Sequence, residues 1–146
     1  MITPLKGQFH IEWYPKTAST TFAQNDMVSI LSTVAGAGTL IKSTAASTKI
    51  LGLCLKTVAA TDSDYASTTE IPVLVANDQD CEFLMDVSTG TPATTDIGEL
   101  ISVDDENSVD VTDYTTGVIE VTRIISATQI VGKILKKSGV AVVATA

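Results

Sequence analysis

The chain has one histidine, His10, and Glu12 follows it two residues later. One imidazole and one carboxylate are too few ligands for a metal site. A serine nucleophile of the hydrolase type would need a sharp G-x-S-x-G turn, and the sequence has no such pattern. We therefore interpret His10 as an exposed or interfacial residue, and we expect no enzyme activity, no metal and no cofactor.

Acidic residues form three clusters whose oxygens could bind calcium: Asp62 with Asp64, Asp78 with Asp80 and Glu82, and residues 104–107 (DDEN). None has the D-x-[DN]-x-[DN]-G spacing followed by a distant Glu that closes a calcium loop. Solvated turns are the favoured interpretation of all three. If one of them binds a cation, we expect it to be 104–107, where consecutive oxygen donors lie between two predicted strands.

The charge balance argues against a nucleic-acid partner. The chain has 17 acidic and 9 basic residues, a net charge of -8, and a single arginine, Arg123. Binding through phosphate groups needs a basic patch, which is missing. We also expect no membrane partner, because no long apolar run could span a bilayer and residues 1–13 have no apolar signal region. The chain is predicted to be made in the cytoplasm.

Residue shape predicts an all-β fold, a small β-barrel or β-sandwich. The chain contains 22 Thr, 15 Val and 13 Ile, and these β-branched residues favour strands over helices. Short apolar runs alternate with turn-forming segments from residue 27 onward, so we predict a single β domain over 27–146. The predicted strands are 27–34, 38–43, 49–58, 71–76, 82–87, 98–103, 108–112, 117–125 and 129–136.

Residues 1–26 are predicted to be an N-terminal arm with one short strand. They hold four of the seven aromatic residues, and 8–13 (QFHIEW) alternates polar and apolar residues with the period of a strand. Such a stripe either binds a partner surface or closes the core of the domain itself. The candidate residues for contact with a partner or a second protomer are Leu5, Phe9, Ile11, Trp13, Tyr14 and Phe22.

Two further patterns concern the core. Cys54 and Cys81 lie in apolar runs and form no C-x-x-C motif, so we expect buried free thiols. Residues 48–56 (TKILGLCLK) resemble 128–136 (TQIVGKILK), with a glycine at the same place in each. A glycine inside a strand indicates a bulge, a bend or close approach of another backbone. The two segments are expected to occupy similar positions in the fold.

Several segments resemble the small capsid decoration, or cement, proteins of tailed bacteriophages. They are 25–28 (NDMV), 49–60 (KILGLCLKTVAA), 71–75 (IPVLV), 95–99 (TDIGE) and 124–134 (IISATQIVGKI). The resemblance implies a compact β domain on the outer surface of the virion capsid, commonly a homotrimer that bridges neighbouring major capsid proteins. The predicted partners are therefore the major capsid protein and further copies of this chain, and the arm is the expected contact.

Two other functions remain open at this point. The chain could be another β-rich virion component, such as a head-fibre base, a tail-tube or a baseplate protein. It could also be a carbohydrate-binding module, since small β-sandwiches bind sugars on aromatic platforms. That function needs several exposed aromatics on the domain, and only Tyr65, Phe83 and Tyr114 lie outside the arm.

Overall fold

Strands dominate the computed structural model, which describes residues 1–31 and 38–135. The strands in this part of the chain are β1 (Ile2–Lys6), β2 (Phe9–Pro15), β3 (Met27–Ile30), β4 (Leu40–Lys42), β5 (Gly52–Cys54), β6 (Glu70–Ala76), β7 (Glu82–Thr89), β8 (Leu100–Asp105), β9 (Ser108–Asp110), β10 (Ile119–Ser126) and β11 (Gln129–Ile134). One 3-10 turn, Thr94–Asp96, precedes β8. The all-β prediction is confirmed, and each strand predicted from residue 27 onward has a counterpart. The predicted strand ends at 34 and 136, and the end of the predicted domain, lie outside the described residues.

The strands form two sheets. The larger sheet has the order β1-β7-β11-β10-β8-β9, and β9 also pairs in parallel with the second half of β7. The strands β7, β11, β10, β8 and β9 therefore form a closed ring of paired strands. Strand β1 lies outside this ring and pairs with the first half of β7. The smaller sheet has the order β2-β6-β5-β3-β4.

Lys16, which directly follows β2, links the two outermost strands of the smaller sheet, β2 and β4. Its backbone forms an isolated parallel bridge with Leu40 on β4, and the neighbouring Thr17 N–H donates to the Leu40 carbonyl at 3.1 Å. The Lys16 side chain is fully buried. Its Nζ donates to the carbonyls of Tyr65 (3.1 Å) and Ser67 (2.5 Å). The ammonium group therefore ties the loop before β6 to the end of β2.

Two apolar clusters fill the interior. The first lies between the sheets, where Phe83 and Met85 of the larger sheet meet Met27 and Leu53 of the smaller one. The second lies on the opposite face of the smaller sheet and is covered by loop residues: its members are Phe22, Val28, Leu40, Cys54, Val58, Ile71, Val73 and Val75. Alternate residues of β6 enter different clusters, as the two-residue period of a strand requires. Strands β3, β5 and β6 of the smaller sheet thus have buried residues on both faces, whereas the edge strand β2 is largely exposed.

The expected extended arm is not observed. Residues 2–15 are two strands that pair with the domain, β1 with β7 and β2 with β6. Ile2 is fully buried in the first cluster. The sequence interpretation missed β1 because Pro4 and Lys6 interrupt its apolar pattern, and the register of β1 does shift between these two residues. The predicted strand at 8–13 is confirmed as part of β2.

The core predictions also have clear outcomes. Cys54 and Cys81 are buried free thiols, as predicted. Close backbone approach is found at Gly52, where an added Cβ would lie 2.2 Å from the Leu74 carbonyl oxygen. Gly132 is similarly crowded, since a Cβ there would lie 2.8 Å from Ile119 Cγ2. Both glycines occupy interior strands, β5 and β11, although these strands belong to different sheets.

Candidate interaction surface

Strand β2 is the first strand in the order of the smaller sheet. One backbone hydrogen bond at each end of β2 shows which of its residues bond to β6. Asn77 N–H donates to the Gln8 carbonyl at 2.9 Å, and Lys16 N–H donates to the Thr69 carbonyl at 3.1 Å. The register of β2 with β6 is unbroken between them. In an antiparallel pair, backbone groups point alternately toward and away from the neighbouring strand. The even-numbered residues of β2 therefore bond to β6, and the odd-numbered residues turn their backbone groups outward.

One face of β2 carries the predicted apolar stripe. Phe9, Ile11 and Trp13 pair with Ala76, Leu74 and Pro72, so they lie on one face of the sheet. Phe9 packs edge-on against Phe83, with ring centroids 5.6 Å apart. Ile11 and Trp13 lie beyond this contact and are 56% and 59% exposed. Large apolar side chains this exposed on a sheet are candidates for contact with a partner.

The opposite face of β2 carries a polar network. His10 Nδ1 contacts Asn77 Oδ1 at 2.5 Å, and His10 Nε2 contacts a carboxylate oxygen of Glu12. The Tyr14 hydroxyl donates to the other Glu12 oxygen. This bond, together with burial and the Glu12 charge, raises the pKa of Tyr14 to about 12. Tyr14 is therefore a neutral donor at physiological pH, and the network orders this face of the strand.

The six candidate contact residues fall into different environments. Leu5, Ile11 and Trp13 are exposed, but Leu5 lies on β1 in the other sheet. Tyr14 is half-buried and packs against the second apolar cluster. Phe22 is only 2% exposed, so it belongs to the core. Phe9 is likewise occupied by its contact with Phe83. Only Ile11 and Trp13 combine exposure with a shared face.

Among the described residues, the sequence interpretation did not single out the exposed apolar side chains of Met1, Ile97, Leu100 and Ile125. Tyr114, one of the three aromatics outside the predicted arm, is also exposed. The exposure of Ile125 could have been predicted from the adjacent pair Ile124 and Ile125. Adjacent residues of a strand point to opposite faces, so one of two consecutive isoleucines must leave the core. Ile124 packs against the first cluster, and Ile125 is 49% exposed.

The acidic segment 104–107 is occupied by hydrogen bonds within the protein. Asp104 accepts a bond from Ser88 Oγ at 2.5 Å. One oxygen of Asp105 accepts from Asn107 N–H and from Ser108 Oγ, each at 2.8 Å. Within residues 1–31 and 38–135, no three side chains of His, Cys, Asp or Glu lie close enough together to hold a metal ion.

A cleft of about 210 Å³ lies beside β3 and β4, with Ile30, Ile41 and Ser47 in its walls. Lys49 is the ionisable residue among the described residues that line it. A general acid–base pair needs two suitably placed ionisable groups, and this wall supplies one.

No protein-family model and no curated protein sequence matches this chain. In the part of the chain that the structure describes, no helix has the length and apolar character needed to cross a membrane.

Proposed function

We propose that the chain is a structural decoration protein that binds the outer surface of a bacteriophage capsid and stabilises contacts between major capsid proteins. The sequence resemblance described above suggests this role. The all-β fold is compatible with it. The acidic character of the chain, with a net charge of -8, favours a protein surface over nucleic acid as the partner.

The exposure of Trp13 and Ile11 is the observation that carries the proposal. Both side chains lie on a strand that β6 holds in register, so they are presented by a rigid element. A rigid aromatic anchor loses little conformational entropy on binding, and such anchors dominate the energetics of protein interfaces. The contact we propose is therefore smaller than the expected arm and is centred on these two residues.

Stabilisation of a shell requires no chemical step. A protein that binds assembled subunits and not separated ones shifts the equilibrium toward assembly by mass action. A homotrimer on the shell would present three such contacts together, so that its attachment gains from avidity. The proposed homotrimer and major capsid protein partner thus account for a function without a catalytic site.

Attachment to empty heads tests the proposal. The purified chain is added to preformed heads of the phage that encodes it, and bound protein is measured by cosedimentation. We expect saturable binding and a rise in the temperature at which the heads break. Failure to bind heads would refute the role. Microscopy of virions separates the alternatives, because a decoration protein covers the head, whereas a fibre, tail or baseplate protein occupies one place.

A further inference from the structure

The two sheets have the same plan. The smaller sheet is made of β2 to β6, and the larger one is made of β7 to β11 together with β1. In each set of five strands the first pairs with the fifth, the fifth with the fourth, the fourth with the second and the second with the third, always antiparallel. The first strand also meets the third in parallel, through the Lys16–Leu40 bridge in one sheet and the β7–β9 pair in the other. A ring of five strands with one parallel contact therefore occurs twice.

The register agrees as well as the strand order. The bridge between Lys16 and Leu40 corresponds to the parallel pair Val87 and Val109. The partners can then be followed around both rings with the same number of residues between successive pairs. The matched pairs are Leu40–Ile30, Met27–Leu53 and Leu53–Leu74 in the smaller sheet and Val109–Val103, Leu100–Glu120 and Glu120–Lys133 in the larger one.

The connections from the first to the second strand also correspond. Asn25 N–H donates to the Cys54 carbonyl at 2.7 Å, and at the matched place Gly98 N–H donates to the Val121 carbonyl at 2.8 Å. The φ angles of Asn25 and Gly98 are both positive, 73° and 90°. Earlier in the same connections, Ser19 has a φ of 54° where the larger sheet has Gly90 with a φ of 86°. The left-handed conformation favours glycine, so its occurrence at non-glycine residues in matched places indicates a shared turn geometry.

A pair of hydroxyl groups lies beside the parallel contact of each sheet. In the smaller sheet Thr17 Oγ1 contacts Thr39 Oγ1 at 2.8 Å. At the matched positions of the larger sheet Ser108 Oγ donates to Ser88 Oγ at 2.9 Å. The first-strand hydroxyl of each pair also donates to a carbonyl of the third strand, at 2.7 and 3.4 Å. The same side-chain contact thus joins the first and third strands of both sheets.

We infer that the chain is a tandem structural repeat of one closed five-stranded unit, and that a hydroxyl pair closes each copy where its first and third strands meet. The first unit is 9–76 and the second is 82–134, and β1 lies outside the repeat. The similarity between 48–56 and 128–136 is a different alignment. It matches β5 with β11, whereas the repeat matches β5 with β10.

The repeat also shows how one unit contacts the other. The outer face of the first unit carries Met27, Leu53 and Leu74, which pack in the apolar cluster that includes the interior of the second unit. The matched row of the second unit is Leu100, Glu120 and Lys133. Burying such charged side chains in an apolar contact would be costly. The contact between the units therefore uses this face of the first unit only.

Disulfide cross-linking tests the two closures. The matched variants are Thr17→Cys/Thr39→Cys and Ser88→Cys/Ser108→Cys. They place thiols where the hydroxyl oxygens are 2.8 and 2.9 Å apart, which is within reach of a disulfide. The controls exchange the partners, Thr17→Cys/Ser108→Cys and Ser88→Cys/Thr39→Cys. In these controls the thiols lie in different sheets, and packed sheets are about 10 Å apart.

We expect mild oxidation to form an intramolecular disulfide in both matched variants and in neither control. The native Cys54 and Cys81 are buried and should not react. Each disulfide should raise the urea midpoint by a similar amount, because 17–39 and 88–108 enclose loops of similar length. Circular dichroism checks that all four variants fold. A disulfide in fewer than both matched variants, or equally rapid cross-linking of the controls, would overturn the inference.

Hydrogen exchange of the unmodified chain gives a test without substitutions. The amides of Lys16 and Val87 donate to the carbonyls that directly precede the fifth strands, at 3.1 and 2.8 Å. Asn25 and Gly98 form a second matched pair of amides. We expect all four to exchange at least about 100-fold more slowly than in an unfolded peptide. Protection of Val87 and Gly98 without protection of Lys16 and Asn25 would overturn the equivalence of the units. Both experiments use the purified chain alone, so the inference does not depend on the proposed attachment to heads.

Discussion

The replacement Trp13→Ala gives the sharpest test of the proposed attachment. Trp13 is 59% exposed in the free chain, and it lies on the same face as Ile11. A tryptophan side chain contributes up to about 250 Å² to a contact. The part still exposed is therefore roughly 150 Å², and at about 25 cal/mol per Å² its burial is worth about 4 kcal/mol.

Truncation to alanine should lose somewhat less than this, because the new methyl group retains part of the contact. We expect a loss of about 2–4 kcal/mol, which corresponds to affinity for empty heads weakened by about 30- to 1,000-fold. The assay is cosedimentation with heads at subsaturating protein. The free energy of unfolding should change by less than about 1 kcal/mol, since a mostly exposed side chain contributes little to the core.

Two controls make the result specific. Trp13→Phe keeps an aromatic ring and should retain most of the binding. Tyr114→Ala removes an aromatic side chain of similar exposure, 52%, on the connection between β9 and β10, and should leave binding unchanged. Unaltered occupancy of heads by Trp13→Ala would show that the ring lies outside the contact, and the reasoning from exposure would fail.

Three further predictions concern stability. Gly52→Ala should destabilise the fold by about 3 kcal/mol, because the new Cβ would meet the Leu74 carbonyl oxygen; chemical denaturation measures this, and wild-type stability would contradict it. Lys16→Ala should cost about 2–5 kcal/mol by removing a fully buried side chain and the donor to Tyr65 and Ser67; protease resistance of residues 59–69 should fall with it, and an unchanged unfolding midpoint would refute the role. Burial raises the pKa of the Asp26 carboxyl, so its contribution to stability is present below the ordinary carboxyl pKa and is lost as pH rises through the folded value. Asp26→Asn should therefore gain in melting temperature relative to wild type as pH rises from about 3 to about 7, and a pH-independent difference would count against this account.

The β-strand pattern was predictable because it is local. The alternation in 71–76 and 82–87 appears directly as the buried and exposed residues of β6 and β7. Turn chemistry between strands is also local, so most boundaries agree within about two residues, but β3 (Met27–Ile30) and β5 (Gly52–Cys54) are much shorter than the predicted strands 27–34 and 49–58. What the sequence could not show was pairing between distant segments, such as Ile2 with Met85. For that reason residues 1–26 resembled an arm, although β1 and β2 are parts of the sheets.

The candidate surface was predictable only in part. The two-residue period correctly placed Phe9, Ile11 and Trp13 on one face. It could not show that Phe83 covers the first of these residues and leaves the others exposed. Phe22 has no such pattern, and its burial depends on its bridge with Val58, far along the chain. The distinction between core and surface aromatics thus came from tertiary packing.

The positions of β1 and β2 have a consequence for biosynthesis. Both strands belong to the first fifteen residues of the chain, but their partners β7 and β6 begin only at Glu82 and Glu70. On the ribosome, the segment from Phe9 to Tyr14 therefore stays unpaired until its partner strand β6 has been translated. Long-range pairing of this kind slows folding, and the intermediates with unpaired strands are prone to aggregate. A nascent chain of this protein should accordingly depend on chaperones that hold its leading strands until β6 and β7 emerge.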